Sequence, residues 1–230
     1  MVKVLAFDCA GARCAAGIVV DGRMEAARAE AMERGQAEAL LPMIDTVLAA
    51  ARLRFSDLDL IAVTVGPGSF TGLRIGIAAA RGLALASGLP CIGIGSFDAV
   101  AAGIAPARRH GRPLAVALES KRAELFLRCF AADGPPLGPA LMVAPQQADA
   151  ALPPGPFLLA GDAAWRFAPW LGDRAEVVDS TALPALVDIV RLAAASWRPG
   201  DRPSLPRPVY LRAPDTTLPR VARRPARIAG

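Results

Sequence analysis

The chain reads as an α/β protein built on a mixed sheet, and three observations predict this. Three short strand-like stretches open the sequence, the second and third joined by Asp21-Gly22, a strong hairpin dipeptide. From residue 36 onward, helix-spaced and strand-like stretches alternate, the pattern of a sheet with helices between its strands. Apolar residues make up 53% of the 230 and charged residues only 20%, which fills a core and excludes a disordered chain. That length suits one domain or two small lobes sharing an interface.

The elements follow in order. Residues 2–7 are an apolar run ending at Asp8, 14–20 a second strand, and 23–31 a third across the Asp21-Gly22 turn. Ala37, Leu40, Leu41, Ile44, Val47, Leu48 and Ala51 recur at helical spacing, predicting a helix over 36–51. Pro42 falls inside that stripe and predicts a kink or a shifted start. A strand over 58–65 runs into a glycine-rich loop, followed by a helix over 72–88, a strand over 90–94 and a helix over 96–105. Strands over 113–118 and 124–130 come next. Seven prolines between 135 and 156 then blur the pattern, leaving a strand at 157–160 and a helix at 183–197. No internal repeat survives counting of matches.

Charge is unevenly placed. The whole chain carries +5, yet from Arg198 onward Arg198, Arg202, Arg207, Arg212, Arg220, Arg223, Arg224 and Arg227 face only Asp201 and Asp215. The body is neutral and the proline-punctuated tail is basic. Such a tail suits a polyanion such as RNA, or serves as a solubilising surface strand. No apolar run approaches the roughly 18 residues of a membrane span, and Met1-Val2-Lys3-Val4 leads straight to Asp8, so a cytoplasmic protein without membrane contact is expected.

Cys9, Cys14, Cys91 and Cys129 form no CxxC pair and read as buried thiols in a reducing compartment. The single histidine, His110, lies between arginines and glycine. It cannot supply a histidine-rich metal site, and a Ser-His-Asp or Cys-His pair would hang on it alone. Neither a catalytic set nor a metal site is expected.

The segment Gly66-Pro67-Gly68-Ser69-Phe70-Thr71-Gly72-Leu73-Arg74-Ile75-Gly76 joins strand to helix. Its free N–H groups and helix end could hold an anion. No Lys-Ser/Thr follows Gly72 and the glycines are spaced GxGxxxG, so it is neither a Walker loop nor a dinucleotide fingerprint. A tight structural turn capped by Ser69 or Thr71 is the other reading. The helix after it is apolar on several sides, with Gly76 and Gly82 allowing close backbone approach. Its cover is a second helix, another subunit, or the C-terminal half of this chain.

This run, the opening strand ending in Asp8, Leu40-Leu41-Pro42-Met43-Ile44, and Pro208-Val209-Tyr210-Leu211-Arg212 together resemble the TsaB (YeaZ) family. The resemblance is dense over residues 1–120 and returns at 208–212. It implies an actin/Hsp70-like (ribonuclease H-like) fold, two lobes of mixed β-sheet flanked by helices, which divides the chain into lobes at 1–105 and 106–200 and a tail at 201–230. It implies a non-catalytic subunit that binds and activates a TsaD-type paralogue for threonylcarbamoylation of adenosine 37 in tRNA. The paralogue carries the metal-binding HxxxH motif, a TsaE-type ATPase joins them, and TsaC makes the threonylcarbamoyl-adenylate donor. Docking would use Leu40, Leu41, Ile44, Val47 and Leu48 of the first helix with Leu73, Ile75, Gly76, Ala79, Ala80 and Leu83 of the second. The same face would form a homodimer when the chain is alone. No cofactor is expected to bind firmly, although ATP or ADP with magnesium at the complex interface would meet Asp8, Gly66, Gly68, Ser69 and Thr71.

Two positions depart from the family pattern. Gln36 stands where a histidine often precedes Leu-Leu-Pro, and Ala10 stands where related kinases place the glycine of Asp-x-Gly. The alternative from the same superfamily is an ATP-dependent phosphotransferase with Asp8 holding magnesium. A glycopeptidase activity attached to the wider family has no visible apparatus here.

Overall fold

A computed structural model describes residues 1–179 and 181–211. The opening hairpin is β1 (Lys3–Asp8), β2 (Arg13–Val20) and β3 (Arg23–Ala31). Asp21 and Gly22 both take positive φ, 47° and 80°, as a type I′ turn requires. Helix α1 (Gln36–Ala51) runs on through Pro42 from the expected first residue. Strand β4 (Leu60–Gly66) follows a short 3-10 turn, and α2 (Phe70–Ser87) begins two residues earlier than its apolar stripe because Ser69 caps it, accepting from the Gly72 N–H at 3.3 Å. Then come β5 (Cys91–Gly95), α3 (Ser96–Gly103), a one-turn helix α4 (Pro106–Arg109), β6 (Leu114–Leu118) and β7 (Leu125–Phe130).

From residue 131 to 179 the structure has five elements absent from the sequence reading: β8 (Leu141–Val143), a 3-10 segment (Pro145–Ala151), α5 (Ala164–Leu171), a 3-10 turn (Gly172–Arg174) and β10 (Ala175–Asp179). The two expected ones, β9 (Phe157–Ala160) and α6 (Leu186–Ala195), are present, α6 three residues shorter at its start. Among the described residues no helix is long and apolar enough to cross a membrane.

The strands make two five-stranded sheets, ordered β3-β2-β1-β4-β5 and β10-β9-β6-β7-β8. In each, three antiparallel strands open the sheet and two parallel strands complete it. Reversing the second order gives the first, so the lobes are copies in topology although no repeat is legible in sequence. Topology is set by which edges pair and which faces bury apolar surface, and many sequences satisfy the same pattern.

The helices α1 and α2 cover one face of the first sheet, where Leu40, Ile44, Val47 and Leu48 pack on Leu5, Phe7, Ile18 and Val63. Its other face is covered by α6, through Leu186, Ile189, Val190 and Ala193. In return α3 packs on the second sheet, with Phe97, Val100, Ala101 and Ile104 against Leu114, Val116 and Leu158. Chain order assigns α3 to the first lobe and α6 to the second. The structure has them exchange sheets, and they touch between the two. The buried Arg109 ties this layer together, donating to the carbonyls of Ala101, Ile104 and Ala131 at 2.8 to 3.0 Å.

Candidate functional site: the interlobe cleft and the outer helix pair

The carboxyl ends of β1, β4, β6 and β9 point toward one cleft of about 790 Å³ between the lobes. Ligands of open α/β sheets collect at such strand ends. One side of it is built from the β1–β2 turn and the β4–α2 loop, and these two pieces are packed backbone on backbone. The Ser69 N–H donates to the Ala10 carbonyl at 2.7 Å. A Cβ at Gly68 would stand 2.4 Å from the Ala10 oxygen and one at Gly72 only 1.9 Å from that of Cys9. The glycines are therefore required by close approach within the chain. Gly66, at φ 112°, begins the loop, and a Cβ there would meet the Val209 carbonyl at 2.7 Å.

Asp8 ends β1 and is fully buried. Its Oδ1 accepts from the Ala10 N–H at 2.9 Å and the Thr64 hydroxyl at 2.5 Å. Its Oδ2 pairs with Arg13 at 3.3 Å, and Arg13 also donates to the Pro184 carbonyl ahead of α6. The carboxylate thus joins β1, β2, β4 and the α6 entry. Magnesium-bound triphosphate is the ligand that the actin-like fold implies, and the residues do not fit it. Both Asp8 oxygens are engaged by protein donors, the Ser69 N–H is spent on the Ala10 carbonyl of the facing turn, and the Gly72 N–H on the Ser69 hydroxyl. Of the expected phosphate contacts, Asp8 lies beneath the surface, Gly66 sits under the Val209 backbone, Ser69 caps α2, and Thr71 is exposed on the helix. They form no cradle. Among the described residues no group of three or more His, Cys, Asp or Glu could hold a metal ion.

The second lobe lines the cleft with Glu119, Ser120, Lys121, Arg122 and Asp162, none of which sequence reading singled out. Arg166 of α5 holds the β6–β7 turn by donating to both Glu119 oxygens at 2.9 and 3.1 Å. Asp162 accepts from the Glu119 N–H at 2.9 Å, while its burial pushes its acid constant upward. The available signal was Ala160-Gly161-Asp162 at a strand end. Gly161 takes φ 113°, nearly the value at Gly66 in the first lobe. Burial pushes the Cys91 thiol up to about 12 and the Cys129 thiol up to about 11. Cys9 and Cys14 lie sulfur to sulfur at 3.7 Å in the core, and the hydrogen bond to Cys14 together with burial raises Cys9.

The outer faces of α1 and α2 form the second candidate surface, and here the expected docking set divides. Leu40, Ile44, Val47, Leu48, Leu73, Gly76 and Ala80 are buried, so they belong to the core and not to an outward face. Gly76 lies over Val63 and Cys9 of its own sheet. Leu41 remains half exposed, and Ile75, Ala79 and Leu83 are partly covered along the edge of the core. Leu85, two residues beyond Leu83 and so on another side of α2, is 87% exposed, and nothing lies within 4 Å of a Cβ at Gly82. A four-residue repeat (75, 79, 83) makes an outer ridge, which the helical period could have separated from the inner one. Gln36 is buried and donates to the Met32 carbonyl at 3.1 Å, closing the entry to α1.

Two lobes of repeated topology, with crossed helices and a cleft at the strand ends, define an actin-like protein. A polyphosphate/ATP-glucomannokinase from Arthrobacter shares that fold at TM-score 0.55 and 13% identity, over 86% of this chain and all of that one. YeaZ from Pseudomonas aeruginosa superposes at TM-score 0.76 with 26% identity, over 92% of this chain and all of that one. The tRNA threonylcarbamoyladenosine biosynthesis protein TsaB of Escherichia coli is 34% identical over 125 residues, 54% of this chain and 53% of that protein. The match thus spans about half of the length of that relative. An uncharacterized Mycobacterium tuberculosis protein is 35% identical over 214 residues, 92% of each chain. A family model described as TsaD, tRNA N6-adenosine threonylcarbamoyltransferase, matches residues 29–133. The chain belongs to the TsaB (YeaZ) family.

Proposed function

We propose that this chain is the non-catalytic subunit that binds a TsaD-type transferase and activates it for threonylcarbamoylation of adenosine 37 in tRNA. The observation that carries the reading is the incompletely covered apolar ridge of α1 and α2: Leu41, half exposed, with Ile75, Ala79 and Leu83, partly covered at the edge of the core. Both sheets are already covered on each face, so the outward part of this ridge is surplus to the core and asks for a partner. The family model of the transferase matches a stretch containing both helices. A paralogue of that kind would present the same helix pair, and two like faces pack about a pseudo-twofold axis. A homodimer of this chain alone follows from the same geometry.

Activation acts by docking: the ridge helices order the partner, which supplies metal and chemistry. A TsaE-type ATPase and tRNA enter through the complex. The internal engagement of Asp8 supports a role without phosphoryl transfer.

The test is reconstitution of purified TsaD-type and TsaE-type partners with threonylcarbamoyl-adenylate and unmodified tRNA. Modified adenosine that forms only when this chain is added is the expected result. Equal product without it would overturn the reading. ATP consumption by this chain alone, abolished in Asp8→Asn, would establish the phosphotransferase alternative instead.

A further inference from the structure

The mouth of the interlobe cleft carries a cluster that the docking reading does not use. Phe70, the first residue of α2, and Tyr210 on the terminal segment have ring centroids 5.2 Å apart at 34°. Both rings are exposed, 40% and 39%. Arg74, one turn further along α2, lays its guanidinium 3.8 Å over Phe70 and donates from Nε to the Tyr210 hydroxyl at 3.1 Å. Among the described residues Arg74 has no carboxylate partner. Tyr210 is held there because Val209 N–H donates to the Val65 carbonyl at 2.8 Å, extending the end of β4.

Across the mouth, Lys121 takes the left-handed conformation at φ 60°, a costly choice for a residue with a side chain. Among the described residues its one ion pair, to Glu33 at 3.7 Å, joins two well-exposed side chains and is weak in water. The second-lobe wall also carries Glu119 and Asp162, with the apolar Phe126 and Met142.

These features select a ligand. A polyphosphate would meet two carboxylates and a glycine loop whose backbone is already engaged. A flat ring bearing one negative charge fits better: ring on Phe70 and Tyr210, charge on Arg74 and Lys121. Aromatic and guanidinium planes of this kind take up unstacked bases of single-stranded RNA. In sequence, Leu211 of the cleft is followed directly by Arg212, and five of the eight clustered arginines come after it. A free mononucleotide would leave that basic stretch unused.

We propose that the Phe70–Arg74–Tyr210 mouth of the cleft takes one unstacked nucleotide of an RNA loop. The proposal rests on the tRNA-modification reading for the source of the RNA, and on the side chains for the chemistry.

The test uses the full chain alone, titrated with a fluorescein-labelled RNA hairpin with an unpaired loop and with a fully paired duplex of equal length. The hairpin is expected to bind more tightly. Tyr210→Leu and Phe70→Leu are each expected to weaken hairpin binding about tenfold, while Tyr210→Phe keeps most of the affinity because the ring remains. Arg74→Gln should reduce the salt slope by about 0.7, the value for one phosphate contact on a single strand. Trp165→Leu, an exposed ring on α5, serves as the control and should change nothing. Circular dichroism confirms that each variant is folded.

Equal affinity of hairpin and duplex would overturn the proposal. So would ring variants that bind like the parent while deletion of 212–230 abolishes binding, since the contact would then be electrostatic. Adenosine monophosphate bound as tightly as the hairpin would overturn the RNA assignment in favour of a free nucleotide. The titration contains no partner protein, so its failure leaves activation of the transferase standing. Ring-dependent RNA binding without activation in the reconstitution would sink only the activation reading.

Discussion

Gly72 carries the tightest backbone approach on the cleft side of the first lobe. An added methyl group would lie 1.9 Å from the Cys9 carbonyl oxygen, with backbone on both sides and no flexible side chain to yield. Gly72→Ala is therefore expected to cost roughly 3 kcal/mol, read as a lower urea midpoint with an unchanged slope. Asp162 gives a pH signature. Burial raises its folded constant above the ordinary 3.8, so the folded state keeps this proton where the unfolded chain has lost it. Its contribution to stability therefore falls as pH rises from that ordinary value through the raised one. Asp162→Asn retains an oxygen to accept the Glu119 N–H and removes the ionisation. The variant is expected to exceed the parent in urea midpoint at neutral pH, with the advantage gone in acid. A constant difference across pH would show that the buried charge is not its source.

Within α2, one side builds the core and the other builds the ridge. Leu73, Ile77 and Ala80 are buried, while Ile75, Ala79 and Leu83 lie partly covered at the edge of the core. Ala79→Glu and Leu41→Glu are expected to weaken binding of the TsaD-type partner about tenfold or more. Leu41 is half exposed, so its variant should melt close to the parent. Titration calorimetry with the partner, beside a thermal scan, separates lost docking from lost folding. Normal partner binding by both variants would remove the ridge from the proposal. The extent of α1 was legible because its stripe repeats over four turns. The exact start of α2 was not, because a cap and not an apolar residue sets it. In α5, two tryptophans and a proline share eight residues, and a one-turn stripe cannot be told from a loop.

The exchange of α3 and α6 between the sheets makes each lobe depend on the other. Ile189 of α6 is fully buried against the first sheet, although it lies in sequence beyond the last strand of the second. Ile189→Ala is expected to cost about 2–5 kcal/mol and to destabilise both lobes together. Trp197 packs against the first sheet and Trp165 sits on the second lobe, so single-tryptophan forms report each side. Coincident unfolding curves are the expected result. A first lobe that melts earlier while the second stays unchanged would show that the crossed helices do not couple them.

The local pattern of this chain was readable in advance wherever one short stretch carried its own physics. Short apolar runs marked β1 and β2, Asp21-Gly22 demanded its turn, and the stripe of α1 reached its boundaries, because periodicity and backbone preference act over a few residues. The GPGSFTG loop announced a strand-to-helix turn, and its residues carried the family resemblance. What lay outside that range was every pairing between distant segments. Whether Leu40 faces a sheet or a partner depends on where the sheet lies. Whether Asp8 offers its oxygens outward depends on Thr64 and Arg13 folding onto it. The repeated topology, the exchange of α3 with α6, and the meeting of Phe70 with Tyr210 join residues far apart in the chain. Burial and close packing select those contacts from many that the local pattern allows.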